Sequence, residues 1–242
     1  MYISGMGGNG LDVLFVGNSH TFFNDMPRTF ARLWEAQTGE AARPIMLCHG
    51  GKSFSWHQKE YFELRYDLLF GGFDAAVFQQ CAHPFAGSAE EFEAGKKLAE
   101  LAKKGGVRPV FALTWAEKAH PENQEKMNDF HRRLCEETGA CLSPVGLVWQ
   151  RVLARDPEFP LYFADGEHAS VYGDYLIAVT HCRLFSGRSV LDLPNIGCDF
   201  FDKETQGIRE GDTLTELDEE KCRIIRQAAE ETFAEIGIGE TK

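Results

Sequence analysis

The chain has 242 residues, 43% of them hydrophobic, and a net charge of −12 from 25 basic and 37 acidic side chains. That length and apolar share suit a single domain over 1–242 with one good core. So acidic a chain is repelled by phosphate backbones and anionic lipid surfaces, which excludes nucleic acid and membranes as expected partners.

No apolar run approaches the roughly 20 residues that span a bilayer. The opening "MYISGMGGNGLDVLFVGNS" lacks the basic flank of a secretion signal. The seven cysteines include no C-x-x-C pair, and they read as small buried hydrophobes of a cytoplasmic protein.

In chain order, "LDVLFVG" (11–17) is apolar without alternation, the pattern of a parallel strand buried on both faces. "DMPRTFARLWEAQTG" (25–39) repeats apolar residues at helical spacing between Asp25 and Gly39. "RPIMLCHGG" (43–51) predicts a second strand, and "FSWHQKEYFELRYDLLF" (54–70) a helix. "FDAAVFQQ" (73–80) predicts strand three, and 89–106 a helix running from acidic to basic, as its dipole favours. Strand four is expected over 107–116, a helix over 121–139 and a short fifth strand over 140–146. Helices over 170–187 and 217–237 close the chain, and the irregular stretch 193–213 is expected to wrap the domain's edge. Strands alternating with helices predict an α/β fold, a parallel sheet covered by helices on both faces.

Ligands of such sheets sit beyond the carboxyl ends of the strands. Those ends carry Asn18 and Ser19, then His49, Gly50 and Gly51, then Gln79 and Gln80, then Thr114 and Trp115. Small and polar residues thus replace the apolar run at four strand ends, which places a site at one rim.

A serine hydroxyl becomes a nucleophile when a base takes its proton, usually a histidine oriented by a carboxylate. Asp165 and His168, in "FADGEHASVYGDYLIA" (163–178), are spaced to share one side of a turn. The developing oxyanion needs donors. The backbone N–H groups of Ser19 and Gly51 and the amide of Gln79 or Gln80 are the candidates. Plainer readings stand beside these: Ser19 as a helix N-cap, Asp165 likewise, Gly50–Gly51 as a turn, and the glutamines as partners of backbone at a strand end. The spacings of His20, His49, His57 and His83 match no zinc pattern, and no metal is expected. "GMGGNG" (5–10) precedes strand one, where a phosphate loop would follow it.

Taken in order, "VGNS" (16–19), "GGKS" (50–53), "FQQCAHP" (78–84) and "DGEH" (165–168) resemble the four blocks of the SGNH, or GDSL-like, hydrolases. The resemblance spans roughly residues 11 to 187. The phrases "CHGGKSFSWH" and "TWAEKAHPE" look like those of a bacterial subgroup of that superfamily. The likeness implies a three-layer flavodoxin-like fold with a central parallel sheet of about five strands. It also implies Ser19 as nucleophile, His168 as base, Asp165 as its orienter, and Ser19, Gly51 and a glutamine at the oxyanion. Asn18 stands where the pattern has aspartate, Gln79–Gln80 where it has asparagine, and Ala169 where a proline often follows the histidine.

The expected activity is a cofactor-free serine hydrolase of small acyl esters, with an acetylated sugar as the favoured substrate. Asn18, Trp56, His83 and Trp115 are expected to bind substrate, with Phe22 and Phe23 beside them. A thioesterase or lysophospholipase on the same residues, and a binding module that kept the fold, are the competing readings.

Overall fold

A computed structural model describes residues 10–59, 61–199, 201–202, 207–208 and 214–237. The expected α/β fold is present. Five parallel strands form one sheet in the order β2-β1-β3-β4-β5: β1 Gly10–Gly17, β2 Ala41–Cys48, β3 Ala75–Gln79, β4 Arg108–Ala112 and β5 Cys141–Ser143.

The alternation hidden in "LDVLFVG" becomes visible here. Leu11, Val13 and Phe15 point to one face and Leu14 and Val16 to the other, and all are buried. Both faces are covered, so β1 is apolar throughout. One cover holds α2 (Met26–Thr38), α7 (Val145–Arg155), α8 (Val171–Ser186) and α9 (Glu219–Ile236). The other holds α3 (Phe54–Lys59), α4 (Tyr61–Phe70), α5 (Ala89–Lys104) and α6 (Asn123–Thr138).

Several elements differ from expectation, among them the strands expected over 43–51 and 107–116, which end at Cys48 and Ala112. The helix expected over 54–70 is two helices, α3 and α4. The strand expected over 140–146 ends at Ser143, and the unpredicted α7 begins two residues on. Of the irregular stretch 193–213, β6 (Ile196–Cys198) pairs antiparallel with β9 (Leu214–Glu216), and β7 (Phe201–Asp202) with β8 (Gly207–Ile208). Residues 200, 203–206 and 209–213 of that stretch lie outside the described residues.

Strand β2 is an edge. His49 N–H bonds the Gly17 carbonyl at 3.0 Å, so odd-numbered residues turn their N–H toward β1 and even-numbered ones turn outward. Pro44 therefore stands where the free edge would otherwise offer a donor, as edge prolines do. The connections reverse direction between β1 and β3, and in this topology the crevice at that switch point is where ligands bind.

Candidate active site

Ser19 opens α1 (Ser19–Phe22) directly beyond β1. It does not cap that helix. Asn18 does, its side chain accepting from His20 N–H at 3.1 Å. Ser19 Oγ is instead 2.8 Å from His168 Nε2, and His168 Nδ1 is 2.8 Å from Asp165 Oδ2. The other oxygen, Asp165 Oδ1, accepts from the N–H groups of Glu167 at 2.9 Å and His168 at 3.0 Å. One carboxylate thus closes the turn and holds the imidazole. Partial burial pushes the Asp165 carboxyl upward. The Glu167 N–H and the bonds from His168 outweigh this and keep it below its ordinary value.

Gly17 is required by close approach. A Cβ there would lie 2.7 Å from Thr21 Oγ1 and 2.8 Å from Gln79 Oε1. Its carbonyl is gripped twice, by His49 N–H and by His57 Nε2 at 2.8 Å. A carbonyl can only accept, so Nε2 carries the proton, and burial lowers the His57 imidazole to about 4. Asn18 Nδ2 donates to the Lys52 carbonyl at 2.9 Å, tying the loop of Gly51 beside Ser19. Gly51 has φ +68°, a left-handed conformation that glycine adopts freely.

The His168 ring lies between two others. Phe23 stacks on one side, centroid 4.5 Å away and 22° from parallel, and His20 on the other, at 5.0 Å and 25°. His20 also packs on Trp115 at 5.1 Å and His83 at 4.6 Å. Burial holds the His20 imidazole well below its ordinary value, and His83 and His168 push the same way. His83 is lowered to about 4, by burial first. Between α1 and α2, Asn24 and Asp25 both adopt positive φ (49° and 56°). Asn24 Nδ2 there donates at 3.2 Å to the carbonyl of Ala169, the residue after His168.

Four expected assignments are corrected. Asn18 is 1% exposed, and its backbone and side chain are spent on Gln79, His20 and Lys52, so it frames the serine turn and cannot meet substrate. Trp115 is buried, stacked on Trp149 at 4.2 Å, with Nε1 donating to the Glu167 carbonyl at 2.9 Å. It supports the histidine's turn from within. Neither glutamine amide reaches the rim. Gln79 Oε1 accepts from Asn18 N–H and Thr21 Oγ1, and its Nε2 donates to the Gln80 carbonyl. Gln80 Oε1 accepts from the N–H groups of Phe54 and Cys81, and its Nε2 donates to Glu91 at 2.9 Å. Trp56 and His83 remain half-buried near the rim, Trp56 against His49 at 4.8 Å.

Sequence reasoning missed Glu91. It accepts from Ser53 Oγ, from Ser55 Oγ and N–H, and from Gln80. Burial raises its carboxyl, and these bonds more than offset that. A glutamate in the first turn of a helix reads as a dipole partner, and nothing in the sequence marks it otherwise. Among the described residues, no group of histidine, cysteine and carboxylate side chains is arranged to hold a metal ion.

No family model matches the chain, and no curated protein is similar to it in sequence. Solved structures share its fold. A DUF4886 family protein from Bacteroides uniformis superposes with a TM-score of 0.66 at 18% identity, covering 93% of this chain and 95% of that one. The lipase/acylhydrolase from Enterococcus faecalis gives 0.59 at 13% identity, covering 74% and 96%. TesA gives 0.55 at 13% identity, covering 70% and 94%. The fold is that of the GDSL-like, or SGNH, hydrolases, as the sequence blocks imply.

Proposed function

We propose that the protein is a serine hydrolase of small acyl esters, acting through Ser19, His168 and Asp165. One observation carries this reading: the unbroken relay from Ser19 Oγ through His168 to Asp165, with 2.8 Å at each step. Ser19 Oγ attacks the ester carbonyl while His168 Nε2 takes its proton, and Asp165 stabilises the cation so formed. The N–H groups of Ser19 and Gly51 receive the oxyanion. The tetrahedral centre collapses, His168 returns the proton to the leaving alcohol, and an acyl-Ser19 remains. Water, deprotonated by His168, attacks that ester, and its collapse restores Ser19. No cofactor is needed.

The favoured substrate is an O-acetyl group on a carbohydrate. Half-buried Phe22, Phe23 and Trp56 give the rim flat apolar faces, of the kind that pack on a sugar ring. A longer-chain acyl hydrolase is the second reading, favoured by the likeness in fold to a lipase/acylhydrolase. The first test is turnover of a chromogenic acetate ester. Ser19→Ala should lower it by roughly 10⁴-fold or more while leaving the thermal transition in place. Near-normal turnover in that variant rules out the serine mechanism.

A further inference from the structure

Ser19 and His168 are 149 residues apart in the chain, and each sits on its own turn. One hydrogen bond of 2.8 Å between two turns does not fix their spacing, and a reacting pair needs support from the packing around it. Phe23 and Asn24 tie the two turns together. The Phe23 N–H donates to the Ser19 carbonyl, so its backbone belongs to the serine turn. Its ring lies against both ends of the other turn, stacked on His168 at 4.5 Å and edge-on to Phe163 at 5.1 Å. Asn24 adds a directed bond, from its Nδ2 to the Ala169 carbonyl at 3.2 Å.

The histidine turn itself presents that carbonyl. Tyr162 and Ala169 form an antiparallel bridge. Its rungs run from the Phe163 N–H to the His168 carbonyl at 2.7 Å and from the Ser170 N–H to the Leu161 carbonyl at 2.8 Å. The polar groups of Ala169 therefore point away from Tyr162. Ala169 is fully buried and Asn24 is 3% exposed, so their bond is shielded from water, and an unmet carbonyl there would be costly. Asn24 reaches it from φ +49°, and Asp25 follows at φ +56°. Successive non-glycine residues in the left-handed region persist where the surrounding structure fixes them, and such positions cluster at functional sites. Asparagine is among the few side chains that tolerate the conformation.

We propose that Asn24 is a positioning residue: together with Phe23 it latches the serine turn to the histidine turn and sets the approach of Ser19 Oγ to His168 Nε2. Asn24 acts through Ala169, the residue after the base, and through the direction its backbone gives to Phe23. With the latch open, each turn keeps its own bonds, since the Asp165 and Asn18 side chains close them independently of Asn24. What changes is the spacing between the turns. A misplacement of about 1 Å in a reacting pair costs up to about 100-fold in rate. The loss falls on kcat, because the attack depends on that spacing and the capture of the ester does not. The effect on turnover rests on the hydrolase reading above. The latch itself does not.

The experiment uses the full chain and two variants. Asn24→Gly keeps the left-handed backbone, which glycine adopts freely, and removes the amide. It should lower kcat for a chromogenic acetate ester roughly ten-fold with KM little changed. Phe23→Leu removes the flat face over His168 and serves as a spectroscopic reference. In the wild-type protein the ring current of Phe23 should hold the His168 ring-proton signals upfield of their positions in Phe23→Leu. In Asn24→Gly those signals should move toward the Phe23→Leu positions while the thermal transition stays cooperative. The Asn24 side-chain amide of the wild-type protein should exchange its protons slowly. A wild-type kcat in Asn24→Gly overturns the positioning role. A fall in kcat with the His168 signals unmoved overturns it equally, because Asn24 then does not act through the stack. If Asn24→Gly does not fold, the wild-type amide decides: slow exchange supports the latch and fast exchange overturns it. If the protein hydrolyses no ester, the hydrolase reading fails by itself, and the His168 signals still decide the latch.

Discussion

Single residues carry two kinds of information here, and only one was legible in the sequence. Ser19, His168 and Asp165 announce themselves by residue type and by place, the serine after an apolar strand and the pair just before a helix. Asp174 announces nothing, since an acid in the first turn of a helix reads as an ordinary dipole partner. In the structure it is 1% exposed, and burial pushes its carboxyl well above the ordinary 3.8. Nearby Asp25 pushes the same way, and the neighbouring Asn24 amide opposes it. The sign of the linkage follows. Above about pH 4 the unfolded chain sheds a proton that the folded chain keeps. Stability then falls as pH rises, by up to about 1.4 kcal/mol per unit, until the folded carboxyl itself ionises. Asp174→Asn removes that loss. Melting temperatures of the two proteins, compared from pH 4 to 7, should diverge in the variant's favour as pH rises. A difference that stays constant over that range disproves the buried neutral acid.

At the scale of elements, strands were easier to read than what joins them. The helix α7 was missed although Val145, Val148, Trp149 and Val152 recur at helical spacing. Its start, Val145–Gly146, reads equally well as the end of the short apolar strand before it, and a period cannot be judged on two residues. The glutamines were misread for a related reason. Sequence places Gln79 and Gln80 at a strand end, but the partner that claims Gln80 is Glu91, on α5, beyond a loop. Gln80 and Glu91 together receive the first N–H groups of α3, from Phe54 at 2.8 Å and Ser55 at 2.9 Å. They build the helix that carries Trp56 and His57 toward the rim. Gln80→Ala and Glu91→Ala should therefore act on folding, each lowering stability by about 1–3 kcal/mol. The double variant should cost less than the sum, by about 0.5–3 kcal/mol, because each single change strands the other's polar atoms. Denaturant titration of the four proteins measures this. Strict additivity would mean the two side chains do not share one network.

The whole molecule decides what can reach Ser19. The sheet's order puts the serine turn at the switch point, and packing on both faces of β1 leaves no route to Ser19 through the core. A cavity of about 530 Å³ lies between α2 and the edge strand β2, lined by Asp25, Arg28, Arg32, Ile45 and Met46 among others. It includes neither Ser19 nor His168, so it offers no tunnel for an acyl chain bound to the serine. Around the serine itself the glutamines and Trp115 are turned inward, and Phe23 covers one face of His168. What remains are half-buried aromatic rings at an open rim. In a fitted apolar pocket each added methylene gains up to about 0.8 kcal/mol, whereas on an open rim it gains a fraction of that or meets a ring edge. The specificity constant for chromogenic esters should therefore fall from acetyl to butyryl and be lowest for octanoyl. A steady climb with chain length, by several-fold per two methylenes, would reject the small-acyl reading and point to lipid or thioester substrates. Equal and negligible rates on every ester, with Ser19 intact, would leave the fold serving as a binding module.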